Sequence, residues 1–177
     1  MIISVDDAKR LIDFKGLWTD EKIERKLKSI EQTIRAYTNN NFQDRDCRRT
    51  ADIIGGFLYV EALTPFDVGD TVQISESSLN KGLFTVTSSE DYTFTVAESV
   101  KDENDVLVTK IYYPDDVVDC AINLLEWEVN NRGKVGVKSE TLSRHSVTYF
   151  DLDNNNQVMG YPVSLLGCLK AYKKARF

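Results

Sequence analysis

The sequence predicts an α+β protein: an α-helical domain of about four helices, interrupted by a small β-rich insertion of about five strands. The hydrophobic period changes from helical to alternating near residue 50, and back to helical near residue 114. The excess of acid also lies in the middle, because residues 49–112 hold 4 Lys and Arg against 11 Asp and Glu. We therefore assign residues 1–48 and 113–177 to a helical domain with a C-terminal tail, and 49–112 to an inserted β domain.

Caps and apolar stripes indicate the first two helices. Ser4 and Asp7 have the spacing of a capping box, and Thr19 precedes a longer helix whose first turn is acidic, as the helix dipole favours. The apolar stripe of this second helix recurs every three or four residues, which favours a core role over a subunit interface. The stripe consists of Ile23, Leu27, Ile30, Ile34 and Tyr37.

Two more helices are expected after the insertion. Pro114 restarts a helix, and Tyr161-Pro162 precedes a last one from about Ser164. Helices from the two sides of the insertion are expected to pack together, since one amphipathic helix cannot bury its own stripe. The two stripes are Val118, Ala121, Ile122, Leu125 and Val129, then Leu165, Cys168, Leu169 and Tyr172.

The insertion contains short β-rich runs separated by turn-rich links. Gly55-Gly56 marks a turn or bulge, and Tyr92, Phe94 and Val96 alternate as core residues do. We expect a small twisted sheet or barrel with its acids outside.

Composition excludes several classes of protein. No apolar run reaches the roughly 20 residues of a membrane-spanning helix, and the N-terminus lacks the basic region of a signal peptide. A net charge of −6 argues against a general nucleic-acid binder. Cys47, Cys120 and Cys168 are too widely spaced to suggest a disulfide framework or a metal site. We expect Cys120 and Cys168 to be buried, reduced thiols in a reducing compartment.

Catalytic and metal motifs are incomplete. His145 is the single histidine, and no G-x-S-x-G elbow accompanies it. Asp151-x-Asp153 opens like a calcium loop, but the required Gly is Asn156 and the closing Glu is Pro162. No Gly-Lys-Ser/Thr phosphate loop occurs. We expect no enzymatic activity, no cofactor and no metal.

Residues 134–161 have no helical period, yet they are too apolar for a plain linker. Packing against a neighbouring chain would explain such a segment. We expect residues 134–177 to be the least protected part of an isolated subunit.

Three stretches, in this order, resemble the head-tail connector (adaptor) proteins of long-tailed phages and Gram-positive prophages. Together with the second helix, they cover little more than a third of the chain. The first runs from Ile3 to Ile12 and leads into the helix that ends near Tyr37. The second, Gly136–Tyr149, resembles the family's Ser-Glu-x-Leu/Ile…Ser-Val-x-Tyr motif. The third, Gly160–Phe177, is similar to its terminal helix and basic tail. The insertion departs from the family's minimal pattern.

This resemblance implies a structural virion protein, assembled in the host cytoplasm and located in the neck at the head-tail interface. It implies a dodecameric ring of copies beneath the portal protein, in contact with a stopper or other neck protein and extending the channel through which genomic DNA passes unbound. The terminal segment is then the portal contact, through Leu165, Leu169, Tyr172, Lys173, Lys174 and Arg176. The subunit contact is then formed by Ser139, Glu140, Leu142, His145, Val147 and Tyr149.

Two alternative functions stay open. In the first, the chain is another neck or tail ring protein, such as a stopper or tail completion protein. In the second, it is a nucleic-acid-binding module built on the β insertion. Small β-barrels bind single strands through basic grooves with stacking aromatics, so the acidic insertion has the wrong sign of charge for that use.

Overall fold

The computed structural model describes residues 1–131, 139–142, 145–148 and 156–175, with only the backbone given for 139–142 and 145–148. Two compact units divide the chain. A β unit consists of Met1 and Asn41–Tyr113, and a helical unit of Ile2–Asn40 and Pro114–Phe177. The β unit is therefore continuous in sequence apart from Met1, whereas the helical unit is assembled from both ends of the chain.

The helical unit contains three α-helices, a terminal 3₁₀ helix and two short β-hairpins among its described residues. Each hairpin is a two-stranded antiparallel sheet. The helices are α1 (Val5–Leu11), α2 (Asp20–Thr38), α3 (Asp115–Asn131) and the 3₁₀ helix (Val163–Tyr172). The strands, numbered in chain order after the six of the β unit, are β7 (Ser139–Leu142), β8 (His145–Thr148), β9 (Gln157–Val158) and β10 (Tyr161–Pro162).

The predicted start signals of the first two helices are confirmed. The Ser4 hydroxyl accepts a hydrogen bond from the Asp7 backbone N–H at 3.1 Å, and the Thr19 hydroxyl accepts one from the Lys22 N–H at 3.4 Å. Each satisfies a backbone donor that the first helical turn leaves unpaired. At its other end α2 stops at Asn39, which adopts the left-handed conformation with φ 49°.

The helical core contains the predicted stripe of α2 but a different face of α3. Ile23, Leu27, Ile30 and Ile34 are fully buried, as expected for core. In α3 the stripe is displaced, because Leu124 is buried whereas Val118 and Val129 are only half-buried. The buried residues of α3 are Val117, Cys120, Ala121, Leu124, Leu125 and Glu128.

The β unit is a closed antiparallel barrel with the strand order β1-β2-β5-β4-β3-β6. Its strands are β1 (Gln43–Ile54), β2 (Phe57–Val60), β3 (Thr71–Ser75), β4 (Gly82–Ser89), β5 (Thr93–Val96) and β6 (Glu103–Ile111). Gly55 and Gly56 form the two-residue turn from β1 to β2, both at positive φ (60° and 87°), as such hairpins require. The interior is apolar and includes an edge-to-face contact of Phe66 with Phe94 at 5.0 Å.

The predicted fold class is therefore wrong. A helical connector domain with an insertion of about five strands is replaced by a closed six-strand antiparallel barrel and, among the described residues, four helices. The missing strand is the first half of β1, where the charged run Gln43–Arg49 gives no alternating signal. Backbone pairing selects this segment as a strand. It lies opposite β6 from Gln43 to Ile53, across a bulge between Asp44 and Arg48.

The expectation of reduced thiols is also wrong for two of the three cysteines. Cys120 on α3 and Cys168 on the 3₁₀ helix form a disulfide across a Cα–Cα distance of 6.5 Å. Cys120 is buried, but Cys168 is exposed rather than buried. The 48 residues between them conceal the pairing in the sequence, because it depends on the packing of two helices.

Candidate interaction surfaces

The terminal segment is packed into the helical unit. Leu166 and Leu169 are fully buried, and the Sγ of Cys120 contacts the Leu165 carbonyl at 3.3 Å. Of the apolar residues expected to contact the portal, Leu169 thus lies in the core, whereas Leu165 and Tyr172 are half-buried. Its described residues therefore contribute to the core of the helical unit, while the expectation that residues 134–177 are the least protected part of an isolated subunit stays a prediction.

Polar contacts hold the end of the same segment. The Tyr172 hydroxyl donates to the Asp116 carboxylate at 2.7 and 2.8 Å. The Lys174 N–H donates to the carbonyl of Thr38 at 2.8 Å, and the Asn39 side-chain amide donates to the Ala175 carbonyl at 2.9 Å. Residues 174 and 175 therefore lie against the C-terminal end of α2.

The basic side chains of this segment remain on the surface. Lys173 and Lys174 are exposed, and the Lys173 ammonium lies 3.8 Å from the centroid of the Tyr37 ring, a cation–π contact. Arg176, the third predicted basic contact, lies outside the described residues. Lys173 and Lys174 can therefore attract an acidic partner while Leu166 and Leu169 stay buried in the helical unit.

Five of the six residues predicted for the subunit contact belong to one β-hairpin. Strand β7 pairs with β8 so that Ser139 lies opposite Thr148, Glu140 opposite Val147 and Leu142 opposite His145. Tyr149 lies outside the described residues. The backbone therefore brings the two halves of the predicted motif together.

Sequence reasoning missed an exposed apolar face on the barrel. In β1 and β2, Ile54 lies opposite Phe57 and Asp52 opposite Tyr59. The side chains of Ile54, Phe57 and Tyr59 are 55%, 50% and 44% exposed, and that of Tyr92, before β5, is 54% exposed. We call these four residues the aromatic face.

Tyr92 was predicted to alternate with Phe94 as core, but only Phe94 is buried. Tyr92 lies in the turn that precedes β5, where the strand alternation has not yet begun. The alternation of exposed Phe57 and Tyr59 with buried Leu58 and Val60 was the signal in the sequence.

A basic groove in the helical unit was missed as well. It is a cavity of about 620 Å³ beside α2 and α3. We call it the Trp18 groove, and its lining includes Trp18, Lys22, Arg25, Ser29 and Val129. The Lys22 ammonium lies 4.2 Å from the centroid of the Trp18 ring. At the base of the groove the Lys26 ammonium pairs with the buried Glu128 carboxylate at 3.2 Å.

The barrel residues Glu103 and Lys110 both have displaced pKa values. Hydrogen bonds from the Ser77 hydroxyl and then the Ser78 N–H hold the pKa of Glu103 below its ordinary value. Burial acts to lower the pKa of Lys110, but the hydrogen bond and charge of Asp70, at 2.6 Å, outweigh burial and raise it. Glu103 thereby fastens the β3–β4 loop to β6, and Lys110 fastens the β2–β3 loop to the same strand.

The free thiol of Cys47 is half-buried in β1. Burial, followed by a hydrogen bond with Asp44, raises its pKa. A thiol with a raised pKa holds less thiolate and is a poor nucleophile.

Other chemistry is sparse in the part of the chain that the structure describes. Within it, no three His, Cys, Asp or Glu side chains are grouped to hold a metal ion. The incomplete calcium loop at 151–155 lies outside that part. The helices of these same residues are too short or too polar to cross a bilayer. No protein-family model and no curated protein matches this sequence.

Proposed function

We propose that the chain is a head-tail connector (adaptor) subunit of a long-tailed phage or prophage particle, one copy in a ring beneath the portal. The observation that carries the proposal is the position of the three resembling stretches. They are far apart in sequence, yet all belong to the helical unit, with the barrel inserted between α2 and α3. A connector domain that accepts an insertion between two of its helices has this organisation.

Two further features support an assembly role. The exposed Lys173 and Lys174 follow a segment anchored in the core by Leu166 and Leu169, and they are held at the end of α2 by the Tyr37 ring and the Thr38 carbonyl. This basic surface would face an acidic portal. The β7–β8 hairpin offers a short, separate element to a neighbouring copy. Rigid presentation favours docking because less conformational entropy is lost on binding.

Portal binding tests the proposal. The chain is co-expressed with the portal protein of the same genome, and the purified complex is viewed by negative-stain microscopy. We expect a ring of this chain seated on the portal ring. A chain that does not bind portal but binds another neck or tail protein would instead be a stopper or tail completion protein.

Charge removal tests the docking element. We expect the triple variant Lys173→Ser, Lys174→Ser, Arg176→Ser to lose portal affinity at least tenfold, because electrostatic attraction steers association. The matched control removes three basic residues elsewhere, with Lys28→Ser, Lys81→Ser and Lys101→Ser, and should bind like the wild type. Equal affinity of the two variants would exclude the terminal segment as the docking element.

The barrel's aromatic face gives the nucleic-acid alternative one specific argument, since exposed Phe57 and Tyr59 could stack on bases. The charge opposes it, because the barrel unit holds 13 Asp and Glu against 6 Lys and Arg, a net −7. Salt-dependent binding of a single-stranded oligonucleotide by the full chain would favour this alternative over the connector.

A further inference from the structure

We propose that the aromatic face of one copy docks onto the Trp18 groove of the next copy. This subunit contact rests on the proposed ring and adds an interface that involves the inserted barrel. The two surfaces are different, so the contact is head-to-tail, the arrangement from which closed rings are built.

The aromatic face has the composition of an interaction surface. Ile54, Phe57 and Tyr59 lie on the outside of a closed sheet, with the rings of Phe57 and Tyr59 6.4 Å apart, and Tyr92 is exposed in the turn next to Thr93, the partner of Tyr59. A soluble protein usually exposes such residues singly. Tyrosine and phenylalanine are enriched in protein interfaces relative to the rest of the surface. A closed barrel has no free strand edge, so a partner must bind through side chains.

Charge selects the kind of partner. Exposed carboxylates border the aromatic face at Asp52, Glu61, Glu90 and Asp91. Two such faces would repel each other, which disfavours a symmetric pairing of barrels. The partner surface must therefore combine an apolar centre with positive charge.

The Trp18 groove meets both conditions. The half-buried indole of Trp18 and the side chain of Val129 supply apolar surface, while Lys22 and Arg25 are exposed beside them. Across its whole sequence the helical unit holds 16 Lys and Arg against 15 Asp and Glu, a net +1, whereas the barrel unit is at −7. Opposite charge around paired apolar centres fixes the register of such a contact.

Charge reversal on each surface tests the contact in the full chain. One variant carries Glu90→Lys with Asp91→Lys, and the other carries Lys22→Glu with Arg25→Glu. Neither pair of side chains is buried, and glutamate suits the first turns of α2. Self-association is measured by sedimentation velocity from low concentration up to about 200 µM, a range that covers weak contacts.

We expect each variant alone to associate at least tenfold more weakly than the wild type. An equimolar mixture should associate again, because the reversed barrel of one variant then meets the reversed groove of the other. Two controls should behave like the wild type: Lys28→Glu, which reverses an exposed lysine of α2 outside the groove lining, and Val68→Ser, which removes a 66% exposed side chain from the β2–β3 loop.

The other outcomes overturn the contact. Variants that associate like the wild type would exclude this interface and leave the connector proposal standing, since portal binding tests that proposal separately. A wild-type chain that stays monomeric at the highest concentration would also exclude it. Loss of association in both variants without recovery in the mixture would mean that the two surfaces do not face each other.

Discussion

The barrel and the helical unit reach a closed core by different routes. The barrel is built almost entirely from one continuous segment, and each of its six strands has a partner on both sides. The helical unit joins α1 and α2 from one end of the chain to α3 and the 3₁₀ helix from the other. A continuous unit depends on local pairing, whereas a discontinuous one depends on contacts across the whole insertion. Deletions and core substitutions should therefore change the stability of the two units by different amounts.

The largest expected effect is on the helical unit. Deleting residues 162–177 removes Leu166 and Leu169, both fully buried. At about 2 to 5 kcal/mol for each buried leucine, the loss is comparable to the whole stability of a small domain. We expect the helical signal in circular dichroism to collapse while the barrel keeps its own melting transition.

A shorter deletion is the control for that experiment. Removing residues 173–177 leaves the 3₁₀ helix and its buried leucines in place, so the helical transition should shift by only a few degrees. If the longer deletion leaves helicity intact as well, the C-terminal part does not belong to the core of the helical unit.

The next largest effect is on the barrel. Phe94→Ala empties the interior beside Phe66, where the two rings meet at 5.0 Å. We expect a loss of about 3 to 5 kcal/mol in the free energy of unfolding of the barrel, measured by urea denaturation. The matched variant Tyr92→Ala, two residues earlier but on the surface, should change it by less than about 0.5 kcal/mol. Equal effects would contradict the burial of Phe94 and the exposure of Tyr92.

The same contrast explains which features the sequence reveals. The caps at Ser4 and Thr19 and the stripe of α2 depend on neighbours within one helix, and local patterns predicted them. Strand β1 could not be found in this way. Its charged first half is held by backbone pairing to β6, about sixty residues away. Every non-proline residue has the same backbone donor and acceptor, so this pairing does not require particular side chains that a sequence pattern could reveal.

The candidate surfaces follow the same rule. The basic terminal lysines were recognised because they are adjacent in sequence. The stripe of the last helix predicted the burial of Leu169, whereas the resemblance assigned the same residue to the portal contact. The disulfide between Cys120 and Cys168 also depends on the packing of two helices. The aromatic face could have been read from the alternation in β2. The Trp18 groove could not, since it combines α2 with α3.

A smaller effect separates two ion pairs formed by lysines of α2, one with a buried carboxylate of α3 and one exposed. Lys26 pairs with Glu128, whose side chain is 1% exposed, whereas Lys28 pairs with Glu24 on the open surface at 2.7 Å. Lys26→Met leaves a buried carboxylate without this partner, and we expect a loss of about 2 kcal/mol, below the full cost because Lys26 is itself partly solvated. Lys28→Met should cost less than about 0.5 kcal/mol.

Thermal denaturation at low and high salt distinguishes these two pairs further. Added salt should reduce the difference between Lys28→Met and the wild type, because ions screen an exposed pair. The difference caused by Lys26→Met should persist. Identical salt responses would mean that Lys26 and Glu128 are no better shielded from solvent than the surface pair.

The smallest expected effect is an acid sensitivity of the barrel that the helical unit should not share. The Glu103 carboxylate accepts hydrogen bonds from the Ser77 hydroxyl and the Ser78 N–H, both at 2.6 Å, and thereby fastens the β3–β4 loop to β6. These bonds favour the charged form, so the pKa of Glu103 in the folded chain lies below the value of about 4.3 in an unfolded one. The stabilisation is thus fully present above about pH 4.3 and is lost as the pH falls through the lower, folded-state pKa.

The measurement is the melting temperature of the barrel transition between about pH 6 and pH 2.5, a range that extends well below the ordinary pKa of a glutamate. Glu103→Gln should have a lower melting temperature than the wild type at the upper end, and the two curves should approach each other as the pH falls and the wild-type carboxyl becomes protonated. Glu76→Gln removes one exposed carboxylate from the neighbouring turn and controls for net charge, so its curve should follow that of the wild type. Because the carboxylate is partly solvated, the separation of the curves should be small. Parallel curves for Glu103→Gln and the wild type would mean that Glu103 titrates alike in both states, and that the hydrogen bonds from Ser77 and Ser78 do not hold the loop.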